Sequence, residues 1–328
     1  MTGERRRALV TGITGQDGSI IAELLLADGH EVWGLVRWPH EQGLGCAEHL
    51  RARIRLIAGD LLAPESLTAA VAQVHPDELF HLASPTFVPD SWERPAEFAA
   101  AIVGATATLL RAVSEHSPHT RMLFAASGDM FGDAPESPQT ERTPCRPRNP
   151  YATAKLAAHQ LIGQLREHDG LFACSAILYN HESERRPARF VSRKITRAAA
   201  AIKLGLADEL TLGDTSAVRD WSYAGDVMRG CRLMLSSEEP RDYVLASGVP
   251  HTVQDLVVAA FAHIGLDPDA YVRIDAGLVR AAEPTPRIGD PDRARDDLGW
   301  SAAVGFEELV ARMVDADVAE LSARPTPP

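Results

Sequence analysis

The stretch RALVTGITGQDGS (residues 7–19) places Gly12, Gly15 and Gly18 directly after a short apolar run. The run RALVT predicts a strand, and the residues from Ser19 to Asp28 predict a helix, so the glycines occupy the turn between them. Glycines at this point permit a tight turn and let the backbone approach a pyrophosphate at the helix N-terminus. Because a plain tight turn uses the same residues, the interpretation depends on the rest of the chain.

Strand-like and helix-like segments alternate through the first half of the chain. Further strands are predicted at Glu31–Val36, Ile54–Ala58, Glu78–Leu82, Arg121–Ala126 and Phe172–Leu178, and helices at Leu67–Val74, Phe98–Ser114 and Tyr151–Glu167. Such alternation indicates right-handed βαβ units and a parallel sheet covered on both faces. The sequence therefore predicts an α/β fold with a doubly wound parallel (Rossmann) sheet.

The pattern changes after about residue 180. A helix is predicted at Arg193–Leu204 and a strand at Leu210–Leu212, among turn-rich stretches. Segments Asp226–Leu235 and Tyr243–Ala246 are expected to return to the first sheet, so a smaller α/β lobe would be interleaved with it. We predict a cofactor-binding domain of residues 1–179 plus about 216–246, and a substrate-binding lobe of about 180–215 plus 247–328.

Composition limits the partners. The net charge of −12 argues against nonspecific binding to nucleic acid or to an anionic membrane. The four cysteines are far apart and the twelve histidines lack the spacing of a metal site, which favours free thiols and no metal. With no targeting signal found, and no apolar run reaching the roughly 18 residues of a membrane helix, we expect a cytoplasmic protein.

The residue after the second predicted strand bears on the cofactor. NAD-preferring sites usually carry an acidic residue there for the ribose 2′-hydroxyl, whereas this chain has Arg37. A cation suits a 2′-phosphate, so NADP is favoured, with NAD and a merely solvated arginine as alternatives. Other cofactor contacts are expected at the carboxyl ends of strands. They are Gly12, Thr14, Gly15, Gln16, Asp17 and Gly18, followed by Asp60, Leu61, Leu82, Ala83 and Ser84.

A tyrosine and a lysine form the predicted catalytic pair. Tyr151 and Lys155 lie four positions apart in YATAK, after the helix-start signal Asn149-Pro150, and so share one helix face. A neighbouring ammonium is expected to lower the pKa of the phenol from its ordinary value near ~10. The phenolate can then take a proton from a sugar hydroxyl while hydride leaves the same carbon.

The fifth predicted strand ends in Ser127, Gly128 and Asp129. Ser127 can hydrogen-bond the reacting oxygen beside Tyr151. Ser127 and Asp129 point to the same side of an extended chain, so Asp129 is a candidate acid or base over the sugar ring. The alternative is that Asp129 merely forms a turn before Phe131-Gly132.

Five stretches carry a family resemblance: VTGITGQDGS, GDMFG with TPCRPRNPYATAK, LYNHESERR with FVSRKITRA, LGDTSAVRDW, and AAEPTPRIGDPDRARDDLGW. In them the chain resembles the extended short-chain dehydrogenase/reductase family, and within it the GDP-mannose 4,6-dehydratases, over nearly its whole length. The resemblance implies that the glycine turn, Arg37, His181 and Arg186 bind NADP, with Tyr151 and Lys155 also contacting it. It further implies substrate contacts, which we assign to Thr86, Asn180, Arg219, Arg280 and Glu283.

The chain departs from that family at Ser127-Gly128-Asp129, where the family has Thr-Ser-Glu. The resemblance implies that the glutamate removes the C5 proton of the sugar. Aspartate offers the same chemistry on a stem one methylene shorter, and a misplacement of about 1 Å can cost on the order of 100-fold in rate. The triplet also resembles the GDP-4-keto-6-deoxymannose reductases, which need no C5 base. Trp38 replaces a second family arginine, which weakens the case for NADP and for a tetramer.

Three functions are therefore weighed. The leading hypothesis is an NADP-dependent lyase of deoxysugar biosynthesis, a GDP-hexose (GDP-mannose-type) 4,6-dehydratase acting through a 4-keto intermediate. The alternatives are a reductase or epimerase of 4-keto-6-deoxy nucleotide sugars and a non-catalytic NADP-binding regulator. The resemblance also implies a homodimer through helices Phe98–Ser114 and Tyr151–Glu167, with a tetramer as the alternative.

Overall fold

A sheet of seven parallel strands forms the centre of the computed structural model, which describes residues 5–37, 43–278 and 285–323. Its strands are β1 (Arg7–Thr11), β2 (Glu31–Val36), β3 (Arg55–Ala58), β4 (Glu78–His81), β5 (Arg121–Ser127), β6 (Ala173–Leu178) and β10 (Tyr243–Leu245). The order across the sheet is β3-β2-β1-β4-β5-β6-β10, and the strand order reverses between β1 and β4. This is the predicted doubly wound arrangement, whose ligands bind at the carboxyl ends of the strands.

Helices cover both faces of this sheet. They are α1 (Gln16–Ala27), α2 (Pro64–Val74), α3 (Val88–Glu93), α4 (Pro95–Ala99), α5 (Ala105–His116), α6 (Pro150–Asp169), α8 (Ala224–Ser236) and α11 (Asp292–Leu298). One apolar layer lies under α2, α5 and α6, with Phe98, Leu109 and Phe124 at its centre. The other lies under α1 and α8 and includes Ile21 and Met228.

The remaining elements form the smaller lobe. Strands β7 (Asn180–Glu182), β9 (Val218–Tyr223) and β11 (Pro250–Thr252) make one sheet, and β8 (Leu210–Leu212) pairs with β12 (Val272–Ile274). Helices α7 (Val191–Lys203), α9 (Val253–His263), α10 (Pro268–Tyr271) and α12 (Phe306–Ser322) belong with them. Trp221, Phe261 and Met313 lie in their shared apolar core.

The range 216–246 contributes to both parts of the structure. Its helix α8 packs against α1 and its strand β10 joins the large sheet, as expected for a chain that returns to the first domain. Its strand β9, however, pairs with β7 and β11 in the lobe. The domain division by residue number therefore stays a prediction.

One helical stretch, Pro95–His116, is long and apolar enough to cross a membrane by length and composition. Half of its most apolar window is buried within the fold. Phe98, Ile102 and Leu109 on this stretch are fully buried between α2 and α6. Packing in the core therefore accounts for the buried half of this window.

Candidate active site

The turn after β1 is a close-packed backbone cradle. Gly12 adopts φ +77°, and a Cβ there would lie 2.9 Å from the backbone N of Ala83. A Cβ on Gly18 would lie 2.1 Å from the carbonyl oxygen of Gly12. Helix α1 begins inside this turn at Gln16, three residues before the predicted start, so the turn lies against the positive end of the helix dipole. The cradle fits the pyrophosphate of a dinucleotide.

A polar network connects α1 to residues 180–183, called here the NHES segment. The ring Nε2 of His181 lies 3.0 Å from Asp17 Oδ2, and its Nδ1 lies 2.7 Å from the Tyr179 carbonyl oxygen. Gln16 Nε2 donates to Asp17 Oδ1 at 2.9 Å, and Ser183 Oγ donates to Gln16 Oε1 at 2.8 Å. These bonds hold the NHES segment against the cofactor-facing end of α1.

The charges in this network are paired. Burial alone would raise the pKa of Asp17, but the charge and hydrogen bond of His181, with the bond from Gln16, lower it to about 2. Burial alone would lower the pKa of His181, and the Asp17 carboxylate outweighs it, so the pKa is raised. At neutral pH a carboxylate therefore faces a ring held toward its charged form.

Arg185 and Arg186, which end the stretch LYNHESERR, lie beside this network. Arg185 donates to Ser19 Oγ at 2.9 Å and to Glu23 Oε1 at 2.6 Å, which holds α1 from the other side. Arg186 Nε lies 2.9 Å from Glu182 Oε2, and its guanidinium lies 3.8 Å from the Phe190 ring centroid. Burial acts to raise the pKa of both Asp17 and Tyr151, and the charge of Arg186 opposes it at each, so this cation acts near the glycine cradle and the Tyr-Lys pair together.

Helix α6 carries the Tyr-Lys pair on its buried face. Asn149 begins the helix by accepting a bond from the Ala152 N–H at 2.8 Å, Pro150 occupies the first turn, and Gly170 ends it at φ +67°. Lys155 is 3% exposed and donates through Nζ to the Ala125 carbonyl oxygen of β5 at 2.7 Å. Its Nζ lies 5.7 Å from the centroid of the Tyr151 ring.

The structure contradicts the expected effect of Lys155 on Tyr151. Burial, followed by the nearby charge of Asp129, raises the pKa of the Tyr151 phenol, and a hydrogen bond from Ser127 offsets only part of this. Burial lowers the pKa of Lys155 to about 7, although the Asp17 charge acts in the opposite direction. Burial therefore sets the direction of both pKa shifts, and it is opposite to the lowering of the Tyr151 pKa that the sequence pattern suggested.

We expect Lys155→Met to make the fold more stable while impairing turnover. The folded-state pKa of about 7 lies below the ordinary 10.5, so the unfolded chain binds this proton more strongly. The contribution of Lys155 to the free energy of unfolding therefore rises with pH between these two values. Urea unfolding at roughly pH 7 and pH 9 should show a larger rise in the wild type than in the variant, with the variant about 1 to 2 kcal/mol more stable at the lower pH. An equal pH dependence in both proteins would contradict the assignment.

Ser127 and Asp129 both lie at the carboxyl end of β5 next to Tyr151. Ser127 Oγ accepts from the Asp129 N–H at 3.2 Å, so serine rather than aspartate begins the short helical turn Gly128–Phe131. The Asp129 carboxylate forms an ion pair with Arg287, a residue that the sequence analysis did not select. The structure therefore brings Ser127, Asp129, Tyr151 and Lys155 together and adds an arginine.

The other predicted contacts that the structure describes follow strands of the large sheet or lie on β7 and β9 of the smaller lobe. Arg37 is exposed directly after β2, Asp60 accepts from the Leu62 N–H at 2.9 Å, and Ser84 Oγ is buried with no hydrogen-bond partner. Thr14 is exposed, Thr86 lies in the loop after β4, and Leu61, Leu82, Ala83 and Asn180 are half-buried or nearly so. Arg219 lies on β9, with its backbone bridged to that of Arg287. Arg280, Glu283 and Trp38 lie outside the described residues.

Two further buried polar residues hold the backbone next to Arg287 and were missed from the sequence. Asp220 is fully buried and accepts bonds from the backbone N–H groups of Ser247 at 2.8 Å, Gly248 at 2.9 Å and Gly289 at 3.2 Å. Gln139 is buried and accepts from the Tyr179 hydroxyl at 2.9 Å. The RDW motif marks Asp220 as part of a recognisable segment, whereas Gln139 has no sequence signal. Within the described ranges, no three His, Cys, Asp or Glu side chains form a group that could hold a metal.

Comparison with known proteins gives a consistent family. The family model for GDP-mannose 4,6 dehydratase matches residues 9–313. GDP-mannose 4,6 dehydratase 2 of Arabidopsis thaliana is 42% identical over 332 residues, covering 98% of this chain and 88% of that protein. The Homo sapiens GDP-mannose 4,6 dehydratase is 38% identical over 349 residues, covering 98% of this chain and 94% of its own.

Solved structures share the fold. The UDP-glucose 4-epimerase of Thermus thermophilus, in complex with NAD, has a TM-score of 0.82 at 27% identity, covering 95% of this chain and 98% of its own. RMD from Pseudomonas aeruginosa, complexed with NADPH, has a TM-score of 0.80 at 27% identity, covering 96% and 98%. With the family match across residues 9–313 and relatives similar over nearly their full length, this chain belongs to the GDP-mannose 4,6-dehydratase family.

Proposed function

We propose that this protein is a GDP-hexose 4,6-dehydratase that converts a GDP-mannose-type sugar into its 4-keto-6-deoxy form. The observation that carries the proposal is the grouping of one carboxylate, Asp129, with Ser127 and Tyr151 at the carboxyl end of β5. A dehydration needs a base for a carbon-bound proton in addition to the group that handles the hydroxyl proton. Asp129 and Tyr151 supply these two groups side by side.

The chain's own residues account for the proton movements. Tyr151 enters the cycle as the phenolate, its own proton lost to solvent, and burial makes this phenolate a strong base. It takes the proton of the C4 hydroxyl, and Ser127 hydrogen-bonds the same oxygen, which becomes the C4 ketone. The ketone acidifies the C5–H bond, and Asp129 takes that proton. Asp129 then returns a proton to the C6 hydroxyl, which leaves as water, and Tyr151 gives its proton to C5. The net change is the loss of one water, with both residues restored.

A nicotinamide dinucleotide held at the turn after β1 would supply the hydride chemistry between C4 and C6 without being consumed. The cradle around Gly12 and Gly18, with its close backbone approach, fits the pyrophosphate. Next to that cradle, Asp17 pairs with His181 and Arg186 pairs with Glu182. Similar structures hold NAD or NADPH, which supports a cofactor of this class.

We further propose that the cofactor is NADP, with Arg37 facing its 2′-phosphate. Arg37→Gln should weaken NADP+ binding on the order of 10-fold, because one charge-assisted contact is worth roughly 1.5 kcal/mol, and should leave NAD+ binding nearly unchanged. Isothermal titration with both cofactors measures this. Arg55→Gln, with an exposed side chain on the next strand, is the control. Equal losses for both cofactors would overturn the assignment.

A second candidate is a reductase of 4-keto-6-deoxy nucleotide sugars. The observation that favours it is the triplet Ser127-Gly128-Asp129 in place of the family's Thr-Ser-Glu, since delivering hydride to a ketone needs no base at C5. Incubation with GDP-mannose and a catalytic amount of NADP+ separates the two. A 4-keto-6-deoxy product without net cofactor change supports the dehydratase. Consumption of NADPH on a supplied 4-ketosugar, with no product from GDP-mannose, would overturn it.

The wider setting follows from the same proposal. We propose a cytoplasmic homodimer without nucleic-acid or membrane partners, in which residues 180–215 plus 247–328 bind the nucleotide sugar. Arg219, Asn180 and Thr86 are its proposed contacts among the described residues. A guanidinium suits a diphosphate because its fork matches two phosphate oxygens at once.

A further inference from the structure

Arg287 and Asp129 form an ion pair between two segments that are 158 residues apart in the chain. Their side chains are 18% and 20% exposed, so both charges are largely removed from water. Removing a charge from water costs free energy unless a partner and hydrogen bonds compensate for it. The position of the Asp129 carboxylate is therefore coupled to the position of the Arg287 guanidinium.

The backbone on each side of Arg287 is held by Gln139. The Gln139 N–H donates to the Ile288 carbonyl oxygen at 2.7 Å, and its Nε2 donates to the Pro286 carbonyl oxygen at 3.0 Å. The Asp290 N–H donates to the Gln139 carbonyl oxygen at 2.8 Å. The guanidinium thus extends toward Asp129 from a fixed stretch of chain.

Tyr179 joins the two segments at their backbones. A Cβ on Gly128 would lie 3.1 Å from the Tyr179 ring, and a Cβ on Gly289 would lie 2.8 Å from it. The hydroxyl of the same tyrosine donates to Gln139 Oε1 at 2.9 Å. Gly128, next to Asp129, and Gly289, two positions after Arg287, therefore pack on the same Tyr179 ring. A side chain at position 128 would make a tighter contact with this ring than is usual, so glycine eases the approach.

We propose that Arg287 is the positioning residue for Asp129, holding its carboxylate where the shorter aspartate side chain can act as the base at C5. The inference rests on the proposed function and explains how aspartate replaces the family's glutamate. A carboxylate that is free to rotate is displaced from its reacting position by about an ångström or more, and such a displacement costs on the order of 100-fold in rate.

The test compares Arg287→Gln and Arg287→Lys with the wild type and with Arg295→Gln, whose side chain is 56% exposed on α11. With GDP-mannose as substrate, Arg287→Gln should lower kcat of dehydration roughly 10- to 100-fold and change KM by less than about 3-fold. Single-turnover formation of reduced nicotinamide should stay near the wild-type rate, since that step uses Tyr151. Arg287→Lys should recover part of the loss, and Arg295→Gln should match the wild type.

A double variant tests whether Arg287 acts through Asp129. In an Asp129→Asn background, Arg287→Gln should lower the residual dehydration no further, because the carboxylate to be positioned is gone. A further loss would overturn the proposal, as would wild-type kcat in Arg287→Gln. A raised KM with unchanged kcat would also overturn it and would assign Arg287 to substrate binding. Cofactor binding and the unfolding midpoint of each variant identify any loss of kcat due to misfolding. If Arg287→Gln is misfolded, the kcat of Arg287→Lys tests the proposal in its place. Failure of the proposed function itself would appear separately, as a wild-type protein that forms no 4-keto-6-deoxy product.

Discussion

Asp129→Asn is expected to reduce dehydration of GDP-mannose by on the order of 10²- to 10⁴-fold, the usual contribution of a general acid or base. The amide keeps the shape of the side chain but cannot take the C5 proton. Oxidation at C4 should persist, because it depends on Tyr151, whose pKa the Asp129 charge raises rather than lowers. Reduced nicotinamide should therefore accumulate in the variant after mixing with substrate, as measured by its absorbance.

Asp133→Asn is the matched control for this change. Asp133 lies four positions further along, with a side chain 44% exposed and paired with Arg148. It should dehydrate at nearly the wild-type rate. Dehydration in Asp129→Asn at that same rate would remove Asp129 from the mechanism. Reduction of a supplied 4-ketosugar by NADPH should be largely spared in both variants.

Tyr151→Phe is expected to stop the reaction one step earlier. The ring still packs edge-on against Phe98, with centroids 6.4 Å apart, so the fold should be retained. Without the hydroxyl, the C4 proton has no acceptor, and turnover should fall by on the order of 10²- to 10⁴-fold. Unlike the Asp129 variant, this one should form no reduced nicotinamide in a single turnover, because C4 is never oxidised.

The control for the tyrosine change is Tyr271→Phe, in the smaller lobe against Phe261. It removes a hydroxyl from the same residue type away from β5 and should leave turnover unchanged. Cofactor binding by Tyr151→Phe, followed by titration, should remain within a few-fold of the wild type. Formation of reduced nicotinamide at the wild-type rate in Tyr151→Phe would show that another group takes the C4 proton.

Local patterns made much of the fold predictable. The apolar strands β1 and β2 were predicted with the bounds that the structure has, because their burial on both faces leaves a continuous apolar run. Tyr151 and Lys155 lie on one face of α6, as their spacing of four residues predicts. Strand β9 was missed, since its sequence VRDWSY contains charged residues that no short-range rule places in a sheet.

Long-range contacts and burial account for what the sequence did not reveal. Arg287 lies in an irregular segment, and only the folded chain brings it to Asp129. Asp220 looks like a turn residue in the sequence, yet it is buried. The free-energy cost of removing its carboxylate from water is offset by hydrogen bonds from backbone N–H groups of two other segments. The predicted direction of the shift in the Tyr151 pKa was wrong, because burial raises this pKa and residue spacing does not reveal burial.

The central claim, that one protein moves hydrogen from C4 to C6 of a nucleotide sugar, is tested most directly with GDP-mannose carrying deuterium at C4. The wild-type protein is incubated with this substrate and a catalytic amount of unlabelled NADP+, and the product is examined by mass spectrometry and NMR. We expect a 4-keto-6-deoxy sugar with deuterium at C6 of the same molecule and no label in the recovered cofactor. Deuterium left at C4, or transferred to the cofactor without appearing at C6, would contradict the account.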